Sequence, residues 1–154
     1  MVDLMSGPNY PLSKGFEMAG WSIYAVDWVF GDGHDISKPE NQETIRQRLK
    51  HADFIWAALD CSDKSRIREI PGQHSNGQAM PSPLRSEEFP MGLPGLQGHD
   101  KERVAASNDA AEFIFGELRL HQSRGGASGR ENPANSLHWF TPTEKGIFAQ
   151  DTWW

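Results

Sequence analysis

"DFIWAAL", residues 53–59, is an apolar run of strand length opened by one aspartate. No polar residue alternates through it, so it reads as a strand covered on both faces, the pattern of a central position in a parallel sheet. Before it, "PENQETIRQRLKHA" (39–52) reads as a helix entered through Pro39, with Ser37 as candidate cap. Before that, "WSIYAVDW" (21–28) is β-rich and carries Asp27 near its end. "LSKGFEMAG" (12–20) sets Leu12, Phe16 and Ala19 at helical spacing ahead of Gly20, a stop signal. "VDLM" (2–5) is a short strand running into the turn-rich "SGPNYP". Strands alternating with helices predict an α/β fold with a mostly parallel sheet.

After the run, residues 70–100 break the rhythm with Pro71, Pro81, Pro83, Pro90 and Pro94. Apolar residues such as Leu84, Phe89 and Leu93 are interleaved, which predicts an ordered loop. A long helix is expected from 101 to about 122, with Val104, Ala111, Ile114 and Leu118 as its apolar stripe. "RGGASGRENP" (124–133) reads as a turn and a short strand, and "ANSLHWF" as one or two helical turns. Trp21, Trp56 and Trp139 are assigned to the core. We expect one domain over 1–154, with the long loop at 70–100.

The formal charge of −6 argues against a protein that coats nucleic acid generally. Lys64, Arg66, Arg68 and Arg85 still gather around the sole cysteine, Cys61, as a local contact or as partners for Glu87 and Glu88. A single cysteine excludes an internal disulfide and fits a reducing compartment, so an intracellular location, cytoplasmic or nuclear, is expected. The six histidines are scattered and no metal site is expected. No apolar stretch approaches the roughly 20 residues of a membrane span, and no signal peptide is visible.

In α/β sheets ligands bind beyond the carboxyl ends of the strands. Gly7, Asp27, Cys61 and Glu131 all fall there by this reading. Cys61 sits where its strand ends, as a substrate-facing thiol would, and a buried inert thiol is the alternative. Glu131 is open to a second reading as a turn carboxylate or helix cap.

The order of these residues resembles DNA cytosine-5 methyltransferases. "DLMSGPNYPLSKGFEMAGW" (3–21) is similar to the family's S-adenosylmethionine loop and following helix, and "VDW" (26–28) to its acidic–aromatic pair. "HDIS" (34–37) resembles the motif that approaches adenine, "LDCSDKS" (59–65) the nucleophile loop, and "RENP" (130–133) the base-holding glutamate motif. The resemblance implies a Rossmann-like methyltransferase fold, with about five strands and helices on both faces. It implies a catalytic set of Cys61, Glu131, Ser65 and Arg66. For the S-adenosylmethionine cofactor it implies Ser6, Gly7 and Pro8 in the loop, Asp27 at the ribose, and Trp28, Asp35 and Ile36 around the adenine. Cys61 would add to C6 of a cytosine flipped out of DNA. Cations at 64, 66 and 68 would favour the thiolate.

Three departures stand out. Pro8–Pro11 occupy the place of further glycines, Asp60 replaces the family's proline before the cysteine, and the later family motifs have no counterpart. The last strands of the sheet are then missing unless "GIFAQDTWW" (146–154) supplies one. A partner chain or homo-oligomer is expected to complete the sheet. The alternative function is an inactive interaction subunit that retains the fold.

Overall fold

The computed structural model describes residues 1–70, 72–73 and 76–148. The chain forms two compact units, each assembled from two segments: 1–59 with 109–131, and 60–108 with the segment from 132 onward.

The first unit is α/β. Its four strands are β1 (Val2–Leu4), β2 (Tyr24–Val26), β3 (Phe54–Ala58) and β4 (Ala127–Glu131). They pair in the order β2-β1-β3-β4, and every pairing is parallel. The apolar run 53–59 supplies β3, an inner strand of the sheet, as its composition predicts. Three helices belong here in whole or part: α1 (Pro11–Met18), α2 (Pro39–Leu49) and the later part of α3 (Gly98–Ser123).

Register assigns the helices to faces. Val2, Leu4, Val26, Ile55, Ala57 and Arg130 share one face of the pleat. Arg130 stacks over the Phe115 ring of α3, and Gln122 of α3 donates to Ser128 Oγ at 2.9 Å, so α3 covers that face. Arg46 of α2 donates to Glu117 of α3 at 2.8 Å, which sets the two helices side by side. On the other face Ser13 of α1 donates to Asp3 at 2.7 Å, and Phe16 stacks on Phe54. The faces are not equally sealed. Ile55 and Ala57 are fully buried, whereas Phe54, Trp56 and Ala58 are half-buried beneath the eight-residue α1.

Asp3 places a carboxyl in the sheet interior, 1% exposed, and burial raises its pKa above the ordinary 3.8 despite the Ser13 hydrogen bond. A raised folded pKa means that the fold binds the proton more tightly than the open chain does. The stabilising contribution is therefore present below the unfolded pKa and is lost as pH rises through the folded one. Asp3→Asn keeps an acceptor for Ser13 without the charge. It should raise the melting temperature at pH 7 by a few degrees, with the advantage disappearing near pH 3; an unchanged difference at both pH values would contradict this.

The second unit holds the start of α3, the isolated bridge Gln73–Ala79, and α4 (Pro142–Phe148). In α3, Val104, Ala111, Ile114 and Leu118 are all buried, as the stripe predicted. The fifth strand looked for at the C-terminus is not among the described residues. Gly146–Phe148 are helical, and 149–154 lie outside them. Two local expectations are corrected. Ser37 does not cap α2; its hydroxyl donates to Asp35 at 2.7 Å, and Lys38 occupies the cap position without a side-chain capping bond. Trp21 is 40% exposed: it lies beyond the end of α1, edge-on against Phe16. No helix among the described residues is long and apolar enough to cross a membrane.

Candidate functional site

In the first unit, chain direction reverses between β1 and β3: the chain moves from β1 outward to β2, then back across to β3 and on to β4. Loops at the carboxyl edge of such a reversal diverge and leave a crevice. The loop after β1 holds Met5 at φ 60, Gly7 at φ 71 and Tyr10 at φ 31. Met5 and Tyr10 have side chains and still adopt the left-handed region, a strained state that the surrounding structure must hold. The hold is visible. Met5 N donates to Val26 O at 2.7 Å, and Gly7 N donates to Asp27 Oδ2 at 2.8 Å.

Asp27 follows β2 directly and its carboxylate joins two loops, accepting Gly7 N with one oxygen and Val29 N with the other at 3.1 Å. An ionised carboxylate has about four acceptor positions, so two remain. The second bond fixes a single 3-10 turn, Trp28–Phe30, on which Trp28 stands 68% exposed. Phe30 is braced edge-on between Tyr10 and His34. Asp35 accepts from Ser37 N at 3.0 Å and from Ser37 Oγ. Ile36 is buried in the core at 4% exposure, and Pro8 is exposed. Glu131 closes β4 at the same carboxyl edge, exposed, in register with Ala58.

Two features of this loop leave room and an unused polar atom for a ligand. A Cβ built on Gly7 would meet nothing within 4 Å, which leaves open space over the loop. Ser6 Oγ is buried with no hydrogen-bond partner. A separate cavity of about 750 Å³ opens at the amino edge, among Met1, Trp21, Tyr24, Arg48, His51 and Asp53. None of the predicted site residues lines it.

The second unit carries Cys61, Ser65 and Arg66. Cys61 is half-buried in the turn 60–64. Asp60 accepts Ser62 N at 2.8 Å and Ser62 Oγ at 2.7 Å, closing an Asx turn around the cysteine. Three successive carbonyls are held. Lys64 Nζ donates to Asp60 O at 3.4 Å, Lys64 N to Cys61 O at 3.0 Å, and Arg68 Nε to Ser62 O at 2.7 Å. Ser65 caps the 3-10 turn Arg66–Glu69 by accepting Ile67 N at 3.3 Å.

The cations expected to face the thiol have other partners. Arg66 bonds Glu87, Glu69 and the Asn135 carbonyl, which realises the internal pairing with Glu87. Arg68 also bonds the Ser82 carbonyl. Lys64 and Arg85 are 1% exposed and converge on the equally buried Asp63. Burial alone would raise the Asp63 pKa, but Lys64 and Arg85 more than offset it and hold the carboxyl below 3.8. Burial, with Arg85 beside it, lowers Lys64 below 10.5 against the pull of Asp63. Sequence reasoning missed Asp63, Ser107 and Arg103. Nothing in composition marks a buried aspartate between Ser62 and Lys64, although the Asp60–Ser62 spacing is a readable turn signal.

Among the described residues no three His, Cys, Asp or Glu side chains group as metal ligands. Fold and loop geometry define an α/β protein with a parallel four-stranded sheet and a built carboxyl-edge loop. Comparison of the chain with protein-family models, curated proteins and solved structures gives no match.

Proposed function

We propose that this is an S-adenosylmethionine-dependent methyltransferase-like domain with a Rossmann-like sheet, related to DNA cytosine-5 methyltransferases. The observation that carries the reading is the bond from Gly7 N to Asp27 across the carboxyl edge of β1 and β2, beside the reversal in strand order. It builds a rigid open loop with spare carboxylate acceptors where nucleotide ligands bind in such sheets. Ser6, Gly7 and Pro8 would line the cofactor, Asp27 would accept from ribose hydroxyls, and Trp28 would lie against adenine. Asp35 would meet the adenine amino group, with Ile36 as apolar support. When bound, the cofactor supplies an electrophilic methyl group.

The chain's own residues supply the rest. The Cys61 thiolate adds to C6 of a flipped cytosine and the electron pair moves to C5, which becomes nucleophilic enough to take the methyl. Loss of the C5 proton then re-forms the double bond and expels the thiolate. Glu131 would hold the base through N3 and the exocyclic amine, while Ser65 and Arg66 order the loop after the thiol. The partners in this reading are DNA and a second chain, or a second copy, that extends the sheet.

One observation favours a second reading, a non-catalytic interaction subunit. Arg66 and Arg68 direct their donors to internal carbonyls and carboxylates, so they are not presented to phosphates. Calorimetry with S-adenosylhomocysteine, followed by incubation with 5-fluorocytosine DNA and S-adenosylmethionine, separates the two. The catalytic reading expects binding and a covalent adduct at Cys61, with all adduct lost in Cys61→Ser. Binding without adduct leaves the interaction subunit, and no binding removes the cofactor altogether.

A further inference from the structure

Asp60 is the chain neighbour of Cys61, and a carboxylate close to a thiol opposes thiolate formation. The turn contains its own compensation. Ser62 Oγ donates to Asp60 Oδ2 at 2.7 Å and accepts from Arg103 Nη2 at 2.8 Å. The hydroxyl thus lies between a carboxylate and a guanidinium, polarised in one direction by both. Arg103 comes from α3, far from Cys61 in sequence, and belongs to the same unit. We infer that Arg103, acting through Ser62, is a positioning residue for Cys61: it neutralises Asp60 and holds the turn so that the thiolate can form. This rests on the reading of Cys61 as the nucleophile.

The other cations around the turn bond to other groups, and Lys64 adds only a longer-range attraction to the Asp60 charge. Lys64 Nζ is directed to Asp60 O, Asp63 and Ser107, and Arg68 to the carbonyls of Ser62 and Ser82. Asp63 faces Arg85 and Ser107, and Arg66 faces Glu69, Glu87 and Asn135 O. Arg103 is the cation bonded to the side chain that Asp60 itself holds.

Cys61 is the only cysteine, so alkylation by iodoacetamide reports on it alone. The rate is followed against pH in the full chain for wild type, Arg103→Gln, Arg103→Lys and Asp60→Asn. Arg103→Gln should move the profile to higher pH and slow the reaction at pH 7 by about threefold or more, the effect of half a pKa unit. Arg103→Lys should recover most of the rate. Asp60→Asn retains an Asx turn without the charge and should shift the profile the other way. A folded Arg103→Gln whose profile overlays wild type overturns the inference. If that variant does not fold, an unmoved Asp60→Asn profile overturns it instead. Alkylation needs neither cofactor nor DNA, so failed cofactor binding would count against the methyltransferase reading and leave this result intact.

Discussion

Arg85→Met should destabilise the protein by about 3–5 kcal/mol, the range for breaking a buried ion pair from one side. Arg85 donates to Asp63 Oδ2 through Nε at 3.1 Å and Nη2 at 2.6 Å, to Pro90 O at 2.6 Å, and to Asn108 Oδ1 at 2.7 Å. Its removal leaves the Asp63 carboxylate buried with Lys64 and Ser107 and strips acceptors on both the loop and α3. The deficit has a pH signature. The Asp63 pKa is lowered in the fold, so its contribution is complete above the unfolded value of 3.8 and is lost as pH falls through the lower folded value. The variant lacks much of that contribution, so the gap between variant and wild type should be widest near neutrality and close below about pH 4. Lys64, also lowered by burial, gives the wild type a stability that rises with pH just below 10.5. Urea unfolding followed by tryptophan fluorescence at pH 7 and pH 3 measures the gap. A deficit under about 1 kcal/mol at pH 7 would show that the buried cluster is dispensable.

The second large effect comes from two glycines that look alike in sequence. Gly129 lies in β4, and a Cβ there would stand 2.5 Å from Trp56 Cζ3 and 2.6 Å from Cε3. Trp56 is the register partner of Gly129 on the neighbouring strand, and its indole must shift to admit a methyl, with the Phe54 ring 3.6 Å from the same position. Gly129→Ala should therefore cost about 1–3 kcal/mol, and Gly129→Val more. Gly116 sits within α3 with nothing within 4 Å of its Cβ position. Gly116→Ala should stabilise by about 0.5–1 kcal/mol, because it limits the unfolded chain and favours helix. Thermal melts of both variants decide the matter: equal shifts of the same sign would refute the packing account.

The legibility of the sequence followed the length scale of each signal. "DFIWAAL" revealed a central strand because burial on both sides leaves a contiguous apolar run. The stripe from Val104 to Leu118 revealed α3 because helical period survives over many turns. Asp27 and Gly7 were marked by their place after strands, and the bond between them follows from the parallel pairing of β1 with β2. For the cations at 64, 66 and 68 the sequence left open a local contact or internal pairing, and the structure shows Arg66 paired with Glu87. Sequence places charges near one another, but side-chain direction and burial decide which acceptor each one reaches. Lys64 and Arg85 look like surface residues in composition and are among the most buried in the chain, which only the fold around Asp63 explains. Arg103 left no local trace, since its partner Ser62 is brought to it by tertiary structure.

The interleaving of the two units has a consequence for biosynthesis. β3 is complete at Ala58, yet β4, its neighbour on one side, ends at Glu131, after the whole proline-rich stretch and α3. At roughly 5–20 residues per second, a ribosome takes several seconds to deliver that neighbour. Through that interval the most apolar strand of the nascent chain has one open hydrogen-bonding edge. Slower translation would prolong that exposure, and a holding chaperone engaged with residues 53–59 would protect the yield of folded protein.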